Sequence, residues 1–363
     1  MKKMVNGIAF LVVLLGLAVA NLLYQPPLVS QSERRTLKTM PTFNLETLVS
    51  GKFMREFEAF ALDNFVVRDD FRAIKAGMLF YGYRQKDNNG IYLAGGHAAK
   101  LEQENLFAVA QAANKFNAMA AFLPDSVRLF YGIIPEKGYF LAAQNGYPVL
   151  DYAEIEKILA EKLPGMQAID LKQVLTLDDY YRTDLHWNQK KLVDVTARLG
   201  AALGFSVGWD YRQTSHPFLG VYAGQLALPL PAEELTILEN ESTDGLLVSY
   251  LNPKTGGMVA GELYPLAELE SIDPYNVYLG GAQPLIILEN PAAEGERELV
   301  IFRDSFTSAL APLLAEAYGC VVLVDLRYIS GRILSEYVTI SSEADVLFLY
   351  GVQVLSNPEI LLI

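Results

Sequence analysis

The chain has 363 residues, 52% of them hydrophobic and 20% charged, with 42 acidic against 29 basic side chains and a formal net charge of −13. This length and apolar content fill a sizeable core. The acidic balance argues against nucleic acid as a partner, because phosphate binding needs a concentrated basic surface. The single cysteine, Cys320, excludes an internal disulfide and, within the apolar run Cys320–Val324, reads as a small buried hydrophobe.

At the N-terminus, Lys2 and Lys3 precede a nearly uncharged run from Ile8 to Tyr24, closed by Gln25-Pro26-Pro27. A basic flank before about 17 apolar residues predicts export, with the N-terminus inside and the bulk of the chain outside. Two forms of export fit residues 1–27: a retained membrane helix, or a signal peptide cleaved near Ala20, where Ala18-Val19-Ala20 suits a signal peptidase. Residues 28–46 are polar and irregular and read as a linker, leaving 47–363 as one α/β domain.

Within that domain, apolar residues at three- and four-residue spacing predict helices in 47–86, 102–123, 152–163 and 188–203. Short β-prone runs predict strands at 91–93, 127–134 (stopped by Pro135) and 166–171. Residues 208–296 are rich in Gly, Pro and short strand-like pieces and are expected to form a β-rich insertion. A strand at 298–303, a helix at 307–318 and strands at 321–325 and 345–350 follow, with a short helix expected at 335–340. Short, continuously apolar strands alternating with helices define the fold class as α/β, a parallel sheet covered by helices on both faces.

In such a sheet, reactive groups gather at the carboxyl ends of strands. Ser305 stands where the strand 298–303 gives way to a helix, near free N–H groups that suit either an ordinary cap or a developing oxyanion. A serine nucleophile needs a base, usually His. Of the three histidines, His97 follows Gly95-Gly96 in an expected surface turn and His216 precedes Pro217. His186 alone has a carboxylate two residues away, Asp184. In an extended or turn segment these two side chains share a side, so Asp184 orients the ring while His186 takes the Ser305 proton. A capped loop with a packed histidine fits the same residues. Tyr181 and Trp187 suit either sugar stacking or core. No zinc-binding spacing and no Gly-rich phosphate loop occurs, so neither a metal nor a cofactor is expected.

The segment Thr183-Asp184-Leu185-His186-Trp187 resembles the D-[HT]-H-W signature of the bacterial DHHW proteins and is similar to periplasmic alginate O-acetyltransferase components. Ile134-Pro135-Glu136-Lys137, Phe218-Leu219-Gly220-Val221-Tyr222 and Glu33-Arg34-Arg35-Thr36-Leu37 fit the same pattern. Phe302-Arg303-Asp304-Ser305-Phe306 resembles the Gly-Asp-Ser block of SGNH hydrolases. The resemblance implies an SGNH-hydrolase-like sheet with Ser305 as nucleophile, His186 as base and Asp184 as orienter. It also points to Phe306, Asp304 and Arg303 around the oxyanion, and to Tyr181, Trp187 and Lys137 on the substrate. Leu185 and Arg303 depart from the family pattern, the latter replacing a glycine beside the nucleophile. The function implied is acetyl transfer to an exported or cell-envelope polysaccharide beside a membrane-bound O-acyltransferase. An acetyl-esterase with the same residues and an inert polysaccharide-binding scaffold are the alternatives.

Overall fold

The computed structural model describes residues 2–293 and 295–363. The chain divides into two compact units. One runs to Asn89 and includes Ala223–Leu230; the other comprises Gly90–Tyr222 and Pro231–Ile363.

The first unit begins with helix α1 (Lys2–Leu23), of which Met4–Leu23 is long and apolar enough to cross a membrane. A helical turn at Leu45–Val49 precedes helices α2 (Lys52–Asp63) and α3 (Arg68–Gly77). Few apolar side chains are buried here, and charge pairs hold the unit together instead. Arg35 clasps Asp63 through both carboxylate oxygens at 2.6 and 2.9 Å, and the Lys38 N–H donates to the same group at 2.9 Å. Arg68 and Arg72 both pair with Glu33. The Arg35 guanidinium holds the Asp63 carboxyl well below its usual range. The Glu33–Leu37 block thus has a structural task.

The second unit is built on an eight-stranded sheet: β1 (Arg128–Ile134), β2 (Gln167–Asp170), β3 (Leu247–Leu251), β4 (Met258–Gly261), β5 (Leu285–Glu289), β6 (Glu298–Arg303), β7 (Cys320–Val324) and β8 (Asp345–Gly351). Their order is β4-β3-β5-β7-β6-β8-β1-β2. The five strands from β7 to β2 are parallel, and β5, β3 and β4 extend the sheet antiparallel beyond β7. The expected β-rich insertion therefore supplies three strands of the main sheet; its other part is a separate ribbon, Arg212–Phe218 paired with Glu233–Glu239.

Strand alternation splits the core in two. Leu299, Ile301, Leu347 and Leu349 pack on one face with helices α6 (Val193–Leu203) and α7 (Thr307–Leu314). Val300, Phe302, Val346, Phe348 and Tyr350 pack on the other with α4 (Leu106–Ala120) and α5 (Tyr152–Lys162). Every residue of β8 is buried, which is why its sequence is apolar without alternation. The helical stretch expected over 47–86 is broken into Leu45–Val49, α2 and α3. Helix α7 stops at Leu314, after Pro312 in its last turn, and in place of a helix at 335–340 there is a 3-10 helix over Gly331–Glu336.

Phe348 stacks between Phe116 and Phe302, with ring centroids 4.8 and 4.7 Å away. Phe348→Ala is expected to cost about 3–5 kcal/mol, as a large buried ring is exchanged for a cavity. Urea denaturation measures this as a lowered midpoint with an unchanged slope.

Candidate active site

The carboxyl ends of β6, β8 and β1 lie side by side, and the site grows from them. β6 ends at Arg303; Asp304, Ser305 and Phe306 form the turn into α7. The buried Asp304 carboxylate braces this turn, accepting from the Phe306 N–H at 3.1 Å and from the Gly351 N–H, at the end of β8, at 2.7 Å.

Asp184 and His186 sit on a tight loop closed by a bridge between Tyr180 and Trp187 and by the Tyr181 N–H donating to the His186 carbonyl at 3.0 Å. Asp184 Oδ1 accepts from the backbone N–H of His186 at 3.1 Å, an Asx turn. The same oxygen lies 2.7 Å from His186 Nδ1, and His186 Nε2 lies 2.8 Å from Ser305 Oγ. The turn places carboxylate and imidazole on one side, so the i, i+2 spacing makes the pair. A carboxylate on Nδ1 favours the tautomer whose bare Nε2 faces the hydroxyl.

The loop is tied down on all sides. Lys137 Nζ donates to the Tyr181 carbonyl at 3.0 Å, Tyr180 Oη to the Pro135 carbonyl at 2.6 Å, and Trp187 Nε1 to the Phe306 carbonyl at 2.8 Å. The Glu233 carboxylate accepts from the Arg182 and Thr183 N–H groups, both at 2.7 Å. Asp184 Oδ2 accepts from the Val221 N–H at 2.9 Å. Tyr275 stacks on the His186 ring, 3.8 Å between centroids and 7° between planes.

Several expectations need correction. Tyr181, Trp187 and Lys137 are at most 2% exposed and offer a saccharide little surface; Lys137 and Trp187 fix the loop instead. Arg303 is buried beneath the turn, donating to Ser308 Oγ at 3.2 Å with Asp325 3.9 Å away, and makes no hydrogen bond to Ser305 among the described residues. The Phe306 N–H is taken by Asp304, whereas the N–H of Ser305 makes no hydrogen bond among the described residues. His97 is buried on a hairpin, Ile91–Ala94 with His97–Lys100, rather than in a surface turn. Glu233 and Tyr275 carried no signal in the sequence. A cleft of about 780 Å³ lies along the outer side of the loop, lined by Arg182, Lys190, His216 and Glu233, but excludes Ser305.

Two ionisable groups are buried beside the site. Burial, with Glu102 and Asp304 nearby, pushes the Glu136 carboxyl up to about 8, and burial pulls the Lys137 amine down to about 7. Among the described residues, no group of three or more His, Cys, Asp and Glu side chains is arranged to hold a metal ion.

No family model and no curated protein matches the sequence. Solved structures do match in fold. A DHHW family protein from Eubacterium siraeum aligns at TM-score 0.60 and 18% identity, covering 76% of this chain and 94% of that one. PatB1 of Bacillus cereus aligns at 0.59 and 21%, covering 74% and 97%. PatB1 carrying a sulfonyl adduct aligns at 0.55 and 20%, covering 74% and 96%. The likeness to DHHW proteins carried by Thr183–Trp187 is thus matched by a likeness of fold to a solved DHHW family protein and to PatB1.

A Cβ on Gly220 would lie 2.3 Å from the Thr183 carbonyl and 2.4 Å from Asp184 Cβ. Gly220→Ala is therefore expected to displace the Asp184 loop and cost about 1–3 kcal/mol, read by urea denaturation. Glu136 gives a pH signature. Its pKa is raised on folding, so the stability this group contributes is fully present below the unfolded value of 4.5 and is lost as pH rises towards about 8. Glu136→Gln should remove that slope, so the variant gains on the parent chain from pH 5 to 8 in the same assay.

Proposed function

We propose that this protein is a serine O-acyltransferase working outside the cytoplasm, moving acetyl groups onto an exported or cell-envelope polysaccharide. The observation that carries the reading is the continuous hydrogen-bonded set Ser305–His186–Asp184, with contacts of 2.8 and 2.7 Å. In this reading Met4–Leu23 holds the chain at the membrane, and a membrane-bound O-acyltransferase supplies the acyl group.

Ser305 Oγ attacks the acyl carbonyl while His186 Nε2 takes its proton, and Asp184 stabilises the imidazolium. The Ser305 N–H and the N-terminal end of α7 face the developing oxyanion. Collapse forms the acyl–Ser305 ester, and the donor's leaving group departs with the proton from His186. A sugar hydroxyl then gives its proton to His186 and attacks the ester. Ser305 recovers that proton as the acetylated sugar leaves.

A second reading rests on the Phe306 N–H being committed to Asp304, which leaves the oxyanion site one donor short. On that reading the protein is an inert polysaccharide-binding scaffold. The sulfonyl adduct of PatB1 suggests the discriminating reagent. A sulfonyl fluoride is expected to modify Ser305 in the parent chain and not in His186→Ala; absence of labelling while glycan binding persists favours the scaffold.

Ser305→Ala and His186→Ala are each expected to lower acetyl transfer by about 10⁴-fold or more. Envelope O-acetylation in the producing organism measures this, and unchanged acetylation in either variant sinks the proposal. Turnover of a chromogenic acetyl ester with and without oligosaccharide separates transferase from esterase, since an esterase yields free acetate in both.

A further inference from the structure

Helix α3 is inside out. Its arginines point inward: Arg68 pairs with Glu33 and lies 3.6 Å from Asp63, while Arg72 lies 3.2 Å from Glu33 and donates to the Gly224 carbonyl at 2.9 Å. Another face carries Phe71 and Ile74, and the stripe is extended by Val67 at the cap and Met78 just past the last residue, each of the four between 47% and 58% exposed. Both arginine side chains are better buried, at 14% and 17%. Water-facing helices reverse this arrangement, and a continuous exposed apolar stripe marks an interaction surface.

The occupant follows from where the stripe begins. Met4–Leu23 spans about 30 Å as a helix, the thickness of a bilayer's hydrocarbon core. Near its outer end, Asn21 Oδ1 accepts from the Val66 N–H at 2.9 Å. The residue preceding the stripe is thus held within about one helical turn of the point where the span leaves the lipid. Phe65 packs edge-on against Phe71 at 5.5 Å, and Tyr81 and Tyr83, 78% and 75% exposed, follow Met78. Aromatic rings of this kind favour the membrane–water boundary.

We propose that α3 lies in the extracytoplasmic surface of the bilayer, its Val67–Phe71–Ile74–Met78 stripe seated among headgroups and upper acyl chains, as a second membrane contact beside the span. The proposal rests on reading Met4–Leu23 as a retained membrane helix. It makes the contact apolar rather than electrostatic, so neutral phosphatidylcholine suffices.

The test uses the full chain with Cys320→Ser, reconstituted in phosphatidylcholine vesicles containing nitroxide lipids. Single cysteines replace Phe71, Ile74, Asp69 or Leu14 and carry an environment-sensitive fluorophore. Labels at 71 and 74 are expected to shift to the blue and lose most of their emission to shallow nitroxides, with the Asp69 site, on the opposite face, unaffected. Quenching at Leu14 by deep nitroxides with water-like emission at both 71 and 74 overturns the proposal and leaves the span standing. The proposal also fails if a thiol at position 74 is shielded only by cross-linking to a second copy. No quenching at any site overturns the span and, with it, the proposal.

Discussion

The site depends on one buried carboxylate. Asp184 has no exposed surface, and an ion taken out of water must find donors nearby or lose its charge. It finds the N–H and Nδ1 of His186 and the N–H of Val221. Each donor imposes a condition on the chain. The first requires the Asx turn, the second fixes the imidazole, and the third requires the 218–222 segment to press against the loop so closely that only glycine fits at 220. Thr183 belongs to the same arrangement, its hydroxyl accepting from the Gly220 N–H at 2.8 Å and donating to Glu233.

The surroundings carry further ionisable groups, and their placement explains the rigidity. Lys137 is buried among carbonyls and lies over the Tyr222 ring, 5.2 Å from its centroid. Glu136, its neighbour in sequence, reaches the other way. A Cβ on Gly351 would lie 3.1 Å from Glu136 Oε1 and 3.3 Å from Asp304 Oδ2, so two acidic groups share the space beside the Asp304–Phe306 turn. Close carboxyl groups out of water resist double ionisation. The hydrogen bonds from Phe306 and Gly351 give Asp304 the better claim to the charge.

Much of the architecture was legible because burial writes itself into composition. β6, β7 and β8 are apolar on both faces and bounded by breakers, which reads directly as a covered parallel sheet. The Asp184–His186 spacing was legible for a different reason: two residues apart in a turn is a local geometry, needing no knowledge of the rest. What escaped was non-local. Nothing in 208–296 reveals that Leu247–Leu251 and Leu285–Glu289 continue the main sheet, because short antiparallel strands look alike wherever they pair. Glu233 and Tyr275 touch the site from far along the chain and have no motif. The aromatic residues near His186 were ambiguous in the sequence, and only their burial separates a tether from a stacking platform.

The strand order has a consequence for when the chemistry becomes available. β8, formed by Asp345–Gly351, lies between β6 and β1. The sheet's β1–β2 edge therefore cannot join the strand that leads to Ser305 until nearly the whole chain is present. Contacts of such long sequence separation form late, since their loop-closure entropy comes due before any reward. Until β8 arrives, Ser305 and His186 belong to parts of the sheet that are not yet joined. The last strand of the sheet acts as a clasp, closing the Ser305–His186 contact at 2.8 Å only when the rest of the chain is in place.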